Sequence, residues 1–172
     1  MSTIVAFIEK KDIGFFYFLN RRLNCPPLNI FMKSVTLLGS FAFAIFLTLT
    51  LLFANRKMGV ALMLNLTTAQ IAIQSLKRLI NRPRPYRTHQ WVLSLNPPKC
   101  KYSFPSGHSC TALSIALAVS CFIPGLMTLL IPIAAIVGLS RIYLGYHYPT
   151  DVSVGFIISI IVYELTKIFI TI

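Results

Sequence analysis

The apolar runs decide most of what this chain can fold into. Five stretches, residues 28–54, 58–80, 106–123, 126–145 and 150–170, are almost free of charge. Each is close to or beyond the roughly 20 residues that carry a helix across a bilayer. In hydrocarbon every backbone N–H and C=O must be satisfied within the segment, so such runs fold as helices. Only 12% of the 172 residues are charged, about half the roughly 25% of soluble domains. The sequence therefore predicts an all-α integral membrane bundle of five transmembrane helices, one domain covering 1–172. No stretch has the layout of a cleavable signal peptide, so the apolar segments are read as retained.

The start of the chain differs. Residues 3–24 mix Phe7, Ile8, Phe15, Phe16, Phe18 and Leu19 with Glu9, Lys10, Lys11, Asp12, Arg21 and Arg22. Charges in its middle forbid a span and predict an amphipathic helix lying in the interface, aromatics toward lipid. Pro26 and Pro27 end it. The second span, 58–80, carries Asn65, Thr67, Thr68, Gln70, Gln74 and Ser75, groups that face a bundle or a cavity. The single long loop, 81–104, is rich in Arg, Lys and Pro, and its Trp91 suits headgroup level. The four cysteines lack CxxC spacing and read as buried free thiols.

A net charge of +12 comes from residues at the ends of spans, which points to anionic lipid headgroups and not to nucleic acid. Nothing calls for an obligate protein partner. Five spans also fix which groups share a side. The end of the second span, the long loop, the start of the third, the end of the fourth and the start of the fifth all fall on one face. Topology thus gathers Lys77, Arg84, His108, Arg141, His147 and Asp151 into one layer.

That layer has a chemistry. The stretch Pro105-Ser106-Gly107-His108 opens the third span, and a helix start with free N–H groups and a positive dipole end favours an anion. Basic side chains at a membrane surface ordinarily anchor headgroups, and one interfacial histidine is ordinarily structural. Two histidines in one layer, with Asp151 four residues after His147, point further. An aspartate there orients one ring nitrogen and leaves the other free to attack. Arg forks and a Lys charge neutralise phosphate oxygens, each cation at about 4 Å giving roughly 4 kcal/mol gross at an effective dielectric near 20. With so few carboxylates, a zinc or magnesium site lacks ligands.

Lys77…Arg84-Pro85, Pro105-Ser106-Gly107-His108 and Ser140-Arg141…His147…Asp151 together resemble the three-part signature of the type 2 phosphatidic acid phosphatase family of membrane lipid phosphatases. The resemblance implies a phosphohistidine at His147, with Asp151 orienting it and His108 protonating the leaving group. Lys77, Arg84 and Arg141 would bind phosphate, helped by Ser106, Gly107 and Ser140, with no cofactor or metal. It further implies a small bacterial member acting on the outer face of the inner membrane. The positive-inside rule alone would put the basic face in the cytoplasm; the expectation follows the family. Substrates implied are lipid A 1-phosphate, phosphatidylglycerophosphate, undecaprenyl diphosphate or phosphatidic acid. A lipid phosphotransferase using the same phosphohistidine and, more remotely, an anion or lipid transporter are the competing readings; the absence of internal repeats speaks against the transporter.

Overall fold

The computed structural model describes residues 12–95, 97–98 and 100–170. The first residues of the predicted interfacial helix, up to Lys11, lie outside them. α1 covers 12–22 and closes in a π turn, Phe18–Arg22. There follow α2 (Pro26–Val35), a 3-10 turn (Thr36–Gly39), α3 (Phe41–Ala54), α4 (Arg56–Ile80), a one-turn α5 (Pro85–Thr88), α6 (Gly107–Phe122), a 3-10 turn (Pro124–Leu126), α7 (Met127–Tyr143) and α8 (Pro149–Ile170). No strand occurs among the described residues, only an isolated bridge between Pro83 and Tyr102.

α4 and the helix Pro124–Tyr143 are each long and apolar enough to cross a membrane. α6 is apolar but shorter at 16 residues, and α8 has 22 residues, about 33 Å at 1.5 Å per residue. The predicted span 28–54 is not one straight helix. It bends by 50° between α2 and α3, with Ser40 capping α3 by accepting a hydrogen bond from the Phe43 N–H at 3.2 Å. Hydropathy runs unbroken through Thr36-Leu37-Leu38-Gly39, so pattern alone predicted continuity. The break has a use: a Cβ on Gly39 would sit 2.6 Å from the His108 carbonyl oxygen, and Thr36 receives a hydrogen bond from Arg141 at 2.7 Å.

α6 lies at the centre, packed against α4, α7 and α8. It is apolar or small on all sides, as a central helix must be, and Cys110, Ala112, Ala116 and Ala118 are all buried. Buried polar pairs tie the bundle internally: Ser114 to Ser159 at 3.0 Å and Asn65 to Thr166 at 3.1 Å. On α4, Leu62, Leu66, Ala69, Ile73 and Lys77 repeat at three- and four-residue spacing and all are buried. Lys77 is thus carried inward on the apolar face of its own helix. The cysteines are free, but only Cys110 is buried; Cys25 and Cys100 are exposed on loops, contrary to the expectation of four buried thiols.

Two glycines separate packing from space. A Cβ on Gly155 would lie 2.6 Å from the Ser106 carbonyl oxygen, whereas one on Gly107 would meet nothing nearer than Ile73 at 3.8 Å. Gly155→Ala is expected to push α8 from the start of α6 and lower stability by about 1–3 kcal/mol. Gly107→Ala should leave stability within about 0.5 kcal/mol. Denaturant titration of both variants in detergent checks the contrast.

Candidate active site

Local geometry brings each motif to the same end of the bundle. α4 stops at Asn81, whose φ of 50° is left-handed, a conformation asparagine tolerates at a helix end. The chain then runs through Arg82 and Arg84, and Ser103 returns to it: its N–H donates to the Arg82 carbonyl at 2.8 Å and its hydroxyl to that of Pro83 at 3.0 Å. This fully buried serine fastens the two ends of the long loop together. Ser106 then caps α6, its hydroxyl 2.8 Å from that of Ser109, and its N–H donates to the Asp151 carbonyl at 2.9 Å.

The third motif folds back on itself. Gly145 has a φ of +79°, and a Cβ there would also strike the Leu93 carbonyl at 2.5 Å. The turn directs the Tyr146 and His147 N–H groups to the Arg141 carbonyl at 3.0 and 3.2 Å. His147 thereby returns to the level of Arg141. Both are buried, as are Lys77, Arg84 and Asp151; His108 is half-buried.

Arg84 is the hub of the cationic side. It donates to the Cys100 carbonyl at 2.7 Å, to the Tyr146 carbonyl at 2.9 Å and to His147 Nε2 at 3.1 Å. A guanidinium can only donate, so Nε2 presents its lone pair and the neutral ring carries its proton on Nδ1. Burial pushes the His147 pKa well below its usual 6.5, and the charges of Arg84, Arg141 and Lys77 push the same way. His147 is therefore a neutral imidazole with Nε2 as its free base. His108 has the charged groups of Arg141, Arg84 and Lys77 and the neutral ring of His147 as its neighbours.

Asp151 is used differently from the simplest sequence expectation. Its Oδ2 lies 3.6 Å from His147 Nδ1, too far for a hydrogen bond, and Nδ1 has no hydrogen-bond partner. The carboxylate is held instead by the Tyr148 N–H at 2.9 Å and by Arg82 Nη1 at 2.8 Å. Arg82 also pairs with Asp12 of α1 at 2.9 Å. Neither Arg82 nor Asp12 was singled out from sequence, and Ser103 was also missed. Arg82 shares its loop with Arg84, and no local signal separates their roles. Of the predicted residues, Ser140 is turned away: its hydroxyl donates to the Val137 carbonyl of its own helix at 2.6 Å. Lys77 donates to the Tyr102 carbonyl at 3.4 Å, and Arg141 to Thr36, with its guanidinium 4.5 Å from the Tyr146 ring centroid.

One consequence is a separation of charge. Asp12 and Asp151 both face Arg82, while Lys77, Arg84 and Arg141 have no carboxylate within ion-pair distance among the described residues. Arg141 Nε, buried, lacks any hydrogen-bond partner. Buried cations without counter-charge are costly, and three of them around a neutral imidazole form a site for a compact anion. Among the described residues no group of three His, Cys, Asp or Glu is placed to hold a metal ion.

Residues 58–171 match the family model described as the PAP2 superfamily. Phosphatidylglycerophosphatase B of Bacillus subtilis is 33% identical over 83% of this chain and 75% of its own length. An undecaprenyl-diphosphatase of Sulfolobus acidocaldarius is 30% identical over 61% of this chain and 52% of its own. Among solved structures, LpxE of Aquifex aeolicus superposes with a TM-score of 0.82 at 29% identity, covering 90% of this chain and 93% of that one.

The histidine assignment has a spectroscopic test. In 15N-labelled protein, His147 is expected to hold the neutral Nδ1–H form at pH 7 and to keep it as pH falls through 6.5. Because its folded pKa lies below the unfolded value, its contribution to stability is fully present above 6.5 and is lost as pH falls below it. A ring that titrates near 6.5 contradicts this.

Proposed function

Since the chain belongs to the PAP2 superfamily and is a phosphoric ester hydrolase, we propose that it is a metal-independent phosphatase of a bacterial envelope lipid. The observation that carries the reading is the trio of buried, uncompensated cations, Lys77, Arg84 and Arg141, set around the neutral Nε2 of His147.

The steps follow from the geometry. A phosphate oxygen competes for the Arg84 N–H that now rests on Nε2, and the released lone pair attacks phosphorus. The P–O bond to the lipid breaks as the N–P bond forms, and His108 delivers a proton to the departing oxygen. As His147 acquires positive charge, Asp151 at 3.6 Å from Nδ1 stabilises it by closing to hydrogen-bond distance. Water, deprotonated by the now neutral His108, then cleaves the N–P bond. The charge that develops on phosphoryl oxygens meets preset donors, which is where the rate enhancement resides. Ser106 and Gly107 present the first turn of α6 to the same anion. Ser140 takes part through its helix and not through its hydroxyl.

Support for a lipid substrate comes from the wall of the bundle. A groove of about 660 Å³ runs between α3 and α4, lined by apolar residues such as Ala44, Leu49, Met63 and Leu66, with Gln70, Gln74 and Arg78 along it. Arg78 follows Lys77, and Thr111, three residues after His108, also lines the groove and accepts a hydrogen bond from Gln70 at 2.9 Å. A chain lying there keeps its phosphate end toward the cationic layer. The full reading is a five-span protein of the inner membrane with its site toward the periplasm, acting on one of the four lipids that the signature implies.

Phosphate release from a panel of these lipids should continue in EDTA and fall by at least roughly 1,000-fold in His147→Ala. His108→Ala should lose far less on an aryl phosphate, whose leaving group needs no proton. No release from any lipid, or near-normal turnover in His147→Ala, overturns the reading. Met63→Trp, which narrows the groove, is expected to raise KM for a long-chain lipid phosphate while leaving hydrolysis of a short soluble one unchanged; equal effects on both substrates would remove the groove from substrate binding.

A further inference from the structure

α1 turns one narrow face to the protein. Asp12, Phe16 and Asn20, at i, i+4 and i+8, are buried, while Phe15, Tyr17 and Phe18 are exposed. Two of the three anchor the helix. Phe16 packs edge-on against Trp91 with ring centroids 5.7 Å apart. Asn20 donates to the carbonyls of Leu93 at 2.8 Å and Tyr143 at 2.7 Å, and accepts from the Leu93 N–H at 2.9 Å.

Asp12 does something else. Its Oδ1 accepts the Thr150 N–H at 2.9 Å; its Oδ2 accepts the Thr150 hydroxyl at 2.7 Å and Arg82 Nη2 at 2.9 Å. Arg82 Nη1 then donates to Thr150 Oγ1 at 2.7 Å and Asp151 Oδ1 at 2.8 Å, with the guanidinium 3.9 Å from the Tyr148 ring centroid. All of these bonds converge on the two neighbours of Asp151, its arginine and the residue before it. Arg82 has a quarter of its side chain exposed, so with one carboxylate removed it is free to turn toward water.

We propose that Asp12 is a positioning residue for the reaction: by bridging Arg82 and the first turn of α8, it sets the Asp151 carboxylate at its place beside His147. This rests on the reading of His147 and Asp151 as a working pair. Burying a charged carboxylate is unnecessary for holding α1, which Phe16 and Asn20 already do; it is needed to hold an arginine in one orientation. The N-terminal interfacial helix is thereby part of the catalytic apparatus, although it touches no reacting atom.

The test is steady-state hydrolysis of a lipid phosphate by the purified full-length protein, with unfolding temperature measured alongside. Asp12→Asn keeps the shape but removes the charge; kcat is expected to fall roughly 10- to 100-fold with KM within about twofold. In an Arg82→Met background the same change should lower kcat by less than about twofold, because the route to Asp151 is already cut. Where Asp12→Asn does not fold, Arg82→Lys, which keeps the charge but cannot bridge two carboxylates, must show the same loss of kcat at unchanged KM. Wild-type kcat in the variant assayed, equal losses from Asp12→Asn in both backgrounds, or losses that merely track unfolded protein overturn the proposal. His147→Ala run in parallel separates the two levels: an inactive His147→Ala beside an unaffected Asp12→Asn defeats this inference alone, whereas turnover in His147→Ala defeats the reading beneath it.

Discussion

A fully buried carboxylate holds this molecule's working end together. Asp151 sits at the third position of α8 with no exposed surface, a location tolerable only with partners on every side. Its side chain takes the Tyr148 N–H and Arg82, and its backbone carbonyl takes the Ser106 N–H. One residue therefore joins the long loop, the start of α6 and the turn between α7 and α8. Gly155, one turn on, removes the side chain that would have kept α6 away. The two histidine-bearing motifs are neighbours because of that backbone carbonyl and that glycine.

The same arrangement sorts charge. With both Asp12 and Asp151 committed to Arg82, no described carboxylate neutralises Lys77, Arg84 or Arg141. Burial, with those three cations beside it, keeps His147 neutral. A protein that paired each cation internally would be easier to fold and would bind phosphate poorly. The cost of burying them is met by backbone carbonyls, Cys100 and Tyr146 for Arg84 and Tyr102 for Lys77, and by the Tyr146 ring beneath Arg141. These partners lower the desolvation penalty without cancelling the positive potential.

The outer surface explains how such a polar cluster coexists with so apolar a chain. Phe53, Leu79, Ile30 and Phe41 are among the most exposed side chains, a pattern that water would punish and lipid rewards. α1 continues that surface with the exposed Phe15, Tyr17 and Phe18. On the proposed reading a lipid phosphate would bring its headgroup to the cationic layer and its chains to a side opening such as the groove along α3 and α4.

Hydropathy and spacing were enough for the helical bundle, for the bounds of α4, α6, α7 and α8 to within two or three residues, and for six residues that the fold gathers: Lys77, Arg84, His108, Arg141, His147 and Asp151. These are local properties, since a run of apolar side chains dictates its own backbone in lipid, and the alternating direction of successive helices dictates which ends meet. The choice of partner for each charge is not local. Asp12 meets Thr150 across 138 positions and Arg82 across 70, Arg141 meets Thr36 across 105, and Ser140 prefers its own helix. The bend after α2 belongs with these, because its purpose is set by Arg141 and His108 on other helices. Sequence alone determined a membrane bundle with a basic, histidine-bearing layer; only tertiary packing decided which arginine restrains the aspartate and which are left without a carboxylate, because the desolvation of a buried charge depends on what the rest of the chain brings against it.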